Sequence, residues 1–381
     1  MSFFMYLMFL VKHPATPIPT FDDLAVVYRT GSVSAAAGVT VVLLAIGFFA
    51  AQHLRLLVAN LSAYRRFLNT PDYQLLRQSN AEVTLMAIPL TLAMTVNIMF
   101  ILAALSIPGL WGVVEYLFPV ALVAMTMIGA YAFAVFGRYL GRILTHRGFD
   151  IEDTNHFSQV LPSFAFAMIG VGFAASAAMS TVPATSVIGI LGTFLFVAAS
   201  AAWILVKLPV SFGAMLRNGM SADAGPTLWM GIPIFTLFGI AFVRIAAGIS
   251  HNLLHTPLPP VLPFIVLGLL IAAQLVMGLF GWAIMRRQGY FASVVFGDRR
   301  SIPSYGLICP GVAFSVLAMF FIHWGLVKTH VLTSFSPVHL GLLASVAAVQ
   351  IATVATMVRL NGKLLGGRDL DRDRTAISVA T

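Results

Sequence analysis

Long apolar runs separated by short polar or basic stretches set the pattern of this chain. Nine are clear, at about residues 34–60, 82–105, 111–136, 158–180, 185–207, 227–249, 261–284, 305–327 and 336–359. Each is roughly 20–28 residues long, which suits an α-helix crossing about 30 Å of hydrocarbon. None alternates polar and apolar residues as a barrel strand would. A tenth run, residues 2–12 (SFFMYLMFLVK), is too short to span as a full helix. It reads as the remainder of a first helix or as an interfacial segment. No basic segment precedes it, so a cleavable signal peptide is not expected.

Four runs carry a proline in their first third: Pro89 in LMAIPLTLAM, Pro162 in SQVLPSFAFAM, Pro233 in WMGIPIFTLF and Pro310 in GLICPGVAFSV. The spacings of 73, 71 and 77 residues predict an internal repeat of helical hairpins. Proline removes a backbone bond and clashes with the carbonyl four residues back, so each of these helices is expected to kink. The carbonyls of Leu85, Ser158, Trp229 and Gly306 would then need partners in a cavity or on a neighbouring helix.

The runs between them lack that proline and end in basic residues: Arg65 and Arg66, Arg138 and Arg142, Lys207 and Arg217, Arg286 and Arg287, and Arg359 and Lys363. By the positive-inside rule these ends, and with them the C-terminus, are cytoplasmic. Lys12, Arg29, Arg244 and Lys328 fall elsewhere, leaving 18 of the 22 basic residues on one side. The expected fold is an all-α polytopic membrane protein of about ten transmembrane helices arranged as five hairpins, with proline-kinked inner helices around a central cavity. The repeat domain would cover residues 34–365. A short hydrophobic segment and proline-rich loop (1–33) would precede it and a cytoplasmic tail (366–381) would follow.

Composition fits this picture: 59% of residues are hydrophobic and only 9% charged, too few to clothe a soluble domain of this length. The net charge of +9 is mainly a topology signal, and nucleic acid is not an expected partner. Cys309 is the only cysteine, so intrachain disulfides and a cysteine-built metal cluster are excluded. No GxGxxG, P-loop, HExxH or GxSxG context points to a soluble catalytic domain. Neither an enzyme, a metal nor a cofactor is expected.

Residues 65–96, RRFLNTPDYQLLRQSNAEVTLMAIPLTLAMTV, join a basic amphipathic segment to a helix opening Ile88-Pro89-Leu90-Thr91. Together with the proline repeat, this resembles the tellurite-resistance/dicarboxylate-transporter family, which includes bacterial TehA and the plant slow-anion channels. The resemblance covers roughly residues 34–365. It implies ten helices, a pseudo-fivefold pore lined by the odd helices, cytoplasmic termini, a bacterial inner-membrane location and often a homotrimer. Two departures stand out: the shortened first helix, followed by Pro14, Pro17 and Pro19, and the ninth helix. There the family places a phenylalanine that plugs the pore, whereas Tyr305-Gly306-Leu307-Ile308-Cys309-Pro310-Gly311 puts Cys309 at that position. This string also resembles the TsoY-type (seleno)protein branch.

In the repeat, the counterparts of Cys309 are Ile88, Leu161 and Ile232, an aliphatic slot expected at the pore and gate beside Pro310. Phe164, Phe235 and Phe314 are the expected substitutes for the missing plug. Cys309 is either a small buried hydrophobe or a working thiol, whose reactivity follows its thiolate fraction. Arg244 is the one basic residue well inside a span, where charge is expensive. It is read either as an ion-pair partner of Glu115 or as an anion-attracting group at the outer vestibule. Asn97, Thr91, Thr95, Ser163, Thr236 and Ser315 are expected to bond neighbouring helices more often than to line a pore. His53, His156 and His323 fall at different depths, which disfavours haem ligation.

The leading functional expectation is a passive channel or transporter for a small anion or small solute, in contact with membrane lipid. The alternative is a membrane redox or sulfur/selenium-handling protein in which Cys309 is the catalytic atom.

Overall fold

The structure, a computed structural model, describes residues 2–145 and 157–365. His156 and the expected tail 366–381 lie outside them. The described residues form helices and loops without strands. In chain order the α-helices are α1 (Phe4–Leu10), α2 (Phe21–Thr30), α3 (Val33–Phe67), α4 (Pro71–Gln78), α5 (Ala87–Ser106), α6 (Val114–Thr145), α7 (Leu161–Met179), α8 (Pro183–Asn218), α9 (Gly231–Asn252), α10 (Val261–Arg287), α11 (Ile308–Phe320) and α12 (Pro337–Leu365). Among the described residues, nine helices are long and apolar enough to cross a membrane. They correspond to the nine apolar runs read from the sequence.

Several helices outrun their apolar stretches. The helices α3, α6 and α8 have 35, 32 and 36 residues, because their basic ends continue the helix beyond the part that lipid can cover. By contrast α7 has 19 residues and 83% of its most apolar stretch is buried, while α12 is only 11% buried and α10 17%. With their lead-in turns, α9 and α11 are intermediate at 56% and 50%. These values place α7 in the interior, flanked by α5, α6, α8 and α9. Contacts continue from α9 to α11 and from α11 to α1, and α1 shares an apolar cluster with Ile101, Leu102 and Leu105 of α5. The exception is α5, 28% buried although it carries Pro89. Its neighbour α1 has only seven residues, too short to cover the flank a full helix would screen.

The four repeat prolines are all buried. Each lies within the first turns of its α-helix, directly after a 3-10 segment: Asn80–Met86 before α5, Phe157–Val160 before α7, Ala222–Trp229 before α9 and Ile302–Leu307 before α11. A 3-10 turn bonds each carbonyl to the N–H three residues on rather than four, so the missing proline N–H falls at a joint where the register already changes. Consecutive lead-ins touch one another at the basic end of the bundle.

That end is tied by side chains that do more than mark topology. Glu82 is buried and accepts from both Arg77 and Arg142 at 2.7 Å, and Arg142 also donates to the carbonyls of Gln78 and Ser79. The same device recurs at the far side of the repeat. Arg359 donates to the carbonyls of Val295 and Phe296, and Lys363 to those of Val294 and Gly297. In both places the basic end of one helix satisfies carbonyls in the chain leading to a proline helix.

The helices α7 and α8 approach closely because glycine faces backbone. A Cβ on Gly189 would lie 2.7 Å from the Ala177 nitrogen and 2.8 Å from the Phe173 oxygen. Hydroxyls of α8 then reach carbonyls of α7, as in Ser186 to Ala177 at 2.8 Å and Ser200 to Ser163 at 2.7 Å. Small residues and interhelical hydroxyl bonds take over the role that hydrophobic burial plays in water.

Candidate functional site

One cavity of about 240 Å³ runs between the helices, lined by residues of α1, α5, α7, α9 and the α11 segment. On α9 the lining residues are Pro233, Thr236, Leu237, Ile240, Val243, Arg244 and Ala247, spaced as one face of a helix. At about 1.5 Å per residue, the stretch from Pro233 to Ala247 covers about 21 Å. The α11 segment supplies Cys309, Val312, Ala313, Val316 and Phe320 from the same kind of stripe, and Trp324 from the π-helical turn Phe321–Val327 that continues it. Phe164, Met168 and Val171 of α7, Met94 and Phe100 of α5, Phe4, Met5 and Met8 of α1, and Pro17 and Ile18 of the loop after α1 also line it.

The lining is overwhelmingly apolar. Its polar exceptions are few: the guanidinium of Arg244, the hydroxyl of Thr236, the thiol of Cys309 and the indole N–H of Trp324. Thr236 is already engaged. Its hydroxyl donates to the Ala313 carbonyl at 2.8 Å and accepts from the buried Gln274 amide at 2.7 Å, tying α9, α10 and α11 together. Cys309 is partly exposed and sits in the first turn of α11, at the end of the cavity nearest the lead-in turns.

Arg244 lies eleven residues beyond Pro233, toward the other end of the cavity. Among the described residues its one hydrogen bond runs from Nη1 to the Val171 carbonyl at 3.0 Å, and no carboxylate pairs with it. The expected pairing with Glu115 is not formed. Glu115 instead accepts from the Ser180 hydroxyl at 2.6 Å and from the backbone N–H and hydroxyl of Thr181, closing the turn between α7 and α8. A guanidinium has five N–H donors, so most of its bonding capacity is left for whatever enters the cavity.

The structure brings together only part of the expected gate. Cys309, Phe164 and Pro233 line the cavity with Arg244. Ile88, Leu161, Ile232, Phe235, Phe314, Pro89, Pro162 and Pro310 do not. Ile232 is buried in helix packing, Leu161 packs on the main core, and Phe314 belongs to a cluster with Met5, Met319 and Val346. Of the four residues that precede a repeat proline, only Cys309 on α11 lines the cavity. The aromatic residues that line the space are Phe4, Phe100, Phe164, Phe320 and Trp324. A stripe traced back from Arg244 in steps of three and four would have found Ile240, Leu237, Thr236 and Pro233. Nothing in the local sequence marks Met94, Phe100 or Met8.

Of the residues expected to bond neighbouring helices (Asn97, Thr91, Thr95, Ser163, Thr236 and Ser315), Thr236 alone lines the cavity. Asn97 donates to the Ala93 carbonyl at 3.1 Å, Ser315 to Gly311 at 2.8 Å, and Thr91 to Ala87 at 2.8 Å, while Thr95 joins His53 at 2.9 Å. His323 and His339 flank the ring of Phe9, at 5.4 and 5.1 Å between centroids, outside the cavity lining. Among the described residues no group of three or more histidine, cysteine, aspartate or glutamate side chains is placed to hold a metal ion. Set against models of protein families, against curated proteins and against solved structures, the chain matches none.

Proposed function

We propose that this multi-pass membrane protein is a passive channel or transporter for a small anion or small solute, and that the cavity is its path. In this reading five helical hairpins, α1 with α3, α5 with α6, α7 with α8, α9 with α10 and α11 with α12, surround a pseudo-fivefold pore. The basic end faces the cytoplasm of a bacterial cell, and the chain assembles as a homo-oligomer, a trimer if it follows the tellurite-resistance/dicarboxylate-transporter family it resembles.

The observation that carries the proposal is Arg244, a cation with no carboxylate partner among the described residues, in the wall of an apolar cavity. Placing arginine at membrane depth costs about 3 kcal/mol even on the most lenient insertion scale. Structural use accounts poorly for that cost, since a single bond to a helix carbonyl leaves the charge uncompensated. An anion drawn into the cavity would offset it. Selectivity would come from bore, lining dipoles and this one charge.

The test is flux into liposomes across a panel of halide, nitrate, sulfite, selenite and tellurite, with Arg244→Gln alongside. Protein-dependent flux that drops in the variant supports the proposal, and flux no greater than that of empty liposomes for every anion contradicts it. One observation favours the redox alternative: Cys309 lines the cavity wall. A solute-dependent loss of free thiol in the wild-type protein would support that reading.

A further inference from the structure

We infer that the cavity takes a monoanion bearing an apolar tail, with its carboxylate on Arg244 and its tail directed toward Cys309. The inference rests on the anion reading above and narrows the class of ligand. It follows from how unevenly polarity is distributed along the cavity. The one charged residue of the described lining, Arg244, sits near one end, on α9, and Leu237, Ile240, Val316 and Phe164 line the wall between it and Cys309. Thr236, the polar side chain along that stretch, has its hydroxyl engaged by Ala313 and Gln274.

A small hydrated inorganic anion would have to shed its water along this wall, with the Arg244 guanidinium, the Trp324 indole and the weakly donating Cys309 thiol as the side-chain donors left to replace it. A second carboxylate would be stranded among aliphatic side chains, because the cavity lining offers no second cation. An apolar tail loses nothing by entering, and gains from the same burial that makes the wall costly for water. Size sets a further limit. An apolar cavity of 150 Å³ accommodates benzene, so about 240 Å³ corresponds to about ten non-hydrogen atoms. Octanoate has that size, and the 21 Å length estimated above exceeds its extended span.

Equilibrium binding of labelled octanoate to the full chain in phosphatidylcholine nanodiscs tests the inference. Each buried methylene contributes about a fourfold gain, so octanoate should bind at least about a hundredfold more tightly than acetate. Nitrate should compete weakly, and octylammonium should not compete. Arg244→Gln should weaken octanoate by about tenfold or more, the worth of a charge-assisted hydrogen bond. Arg244→Lys should recover part of that loss, which a merely misfolded variant would not do. Independently, Ala313→Phe should block the tail and abolish octanoate binding while Arg244 remains.

Acetate or nitrate binding as tightly as octanoate would overturn the inference, as would octanoate binding that is indifferent to both substitutions. Repeating the measurement in discs containing phosphatidylglycerol separates a free solute from a lipid. Octanoate binding should persist there, and its loss would hand the site to an anionic lipid and overturn the assignment. Nitrate flux in liposomes without octanoate binding would refute this inference and leave the anion channel standing. Octanoate binding without any anion flux would uphold the site and remove the transport reading.

Discussion

The two sides of the cavity are built by different means. On the α7 side, glycine and alanine let helices meet backbone to backbone: a Cβ on Gly248 of α9 would collide with the Ala177 carbonyl, and one on Gly189 of α8 with the same turn. Ser186, Thr193 and Ser200 of α8 fix the approach with hydroxyl bonds to α7 carbonyls. On the α1 side the wall is a seven-residue helix and the loop residues Pro17 and Ile18. It is held by Tyr6 donating to Gln350 at 2.7 Å, and the cavity is closed by the flexible Met5 and Met8. Here α5 is left largely uncovered. The difference teaches that the cavity has one wall set by backbone contact and one set by side chains that can repack.

Breaking the rigid wall should have the largest effect. Gly189→Val puts two methyl groups into the α7 backbone, where no side chain can yield, and should cost more than about 3 kcal/mol. Loss of a monodisperse peak and a sharply lowered Tm in detergent would register it. Wild-type stability in this variant would show that the close approach is not needed.

Narrowing the cavity at its Cys309 end should come next. Cys309→Phe adds a ring where α11 faces the cavity and should reduce flux about tenfold without unfolding the protein, which a flux assay paired with a Tm measurement reads out. A small water-soluble thiol reagent should label Cys309 in folded wild-type protein, and labelling should likewise reduce flux. Cys309 that reacts only after unfolding would place it in packing instead.

The smallest effect is expected on the adaptable wall. Met8→Ala removes lining that neighbouring side chains can partly replace, and should cost about 1–2 kcal/mol, at or below the usual range for core truncation. Flux should change by only a few-fold. A collapse comparable to that of Gly189→Val would erase the distinction between the two walls.

Much of this was legible before any coordinates. Span length and the absence of alternation identify the helices, because a bilayer leaves few other ways to satisfy backbone groups. The proline period picks out four helices that each begin with a buried proline just after a 3-10 segment. What it does not convey is the 3-10 joint before each proline, since short 3-10 turns are frequent at α-helix termini and a proline spacing does not tell them from α turns. The site was legible in part. Arg244 and Cys309 stand out as singular residues, and both line the cavity. Their surroundings were not legible, because helix rotation decides which face points inward. Of the residues one before each repeat proline, Cys309 lines the cavity, and Ile88, Leu161 and Ile232 are absent from its lining. Glu115 looked like a counter-ion by depth alone, yet the turn between α7 and α8 claims it.

The account stands or falls on whether the Arg244 cavity conducts. Nitrate flux into proteoliposomes, measured for wild type and for Arg244→Gln at matched incorporation and Tm, tests this most directly. The account predicts flux above that of empty liposomes in the wild type and a drop of about tenfold in the variant, as loss of a charge-assisted contact implies. Equal flux from both proteins, or none from either across the whole anion panel, would contradict it.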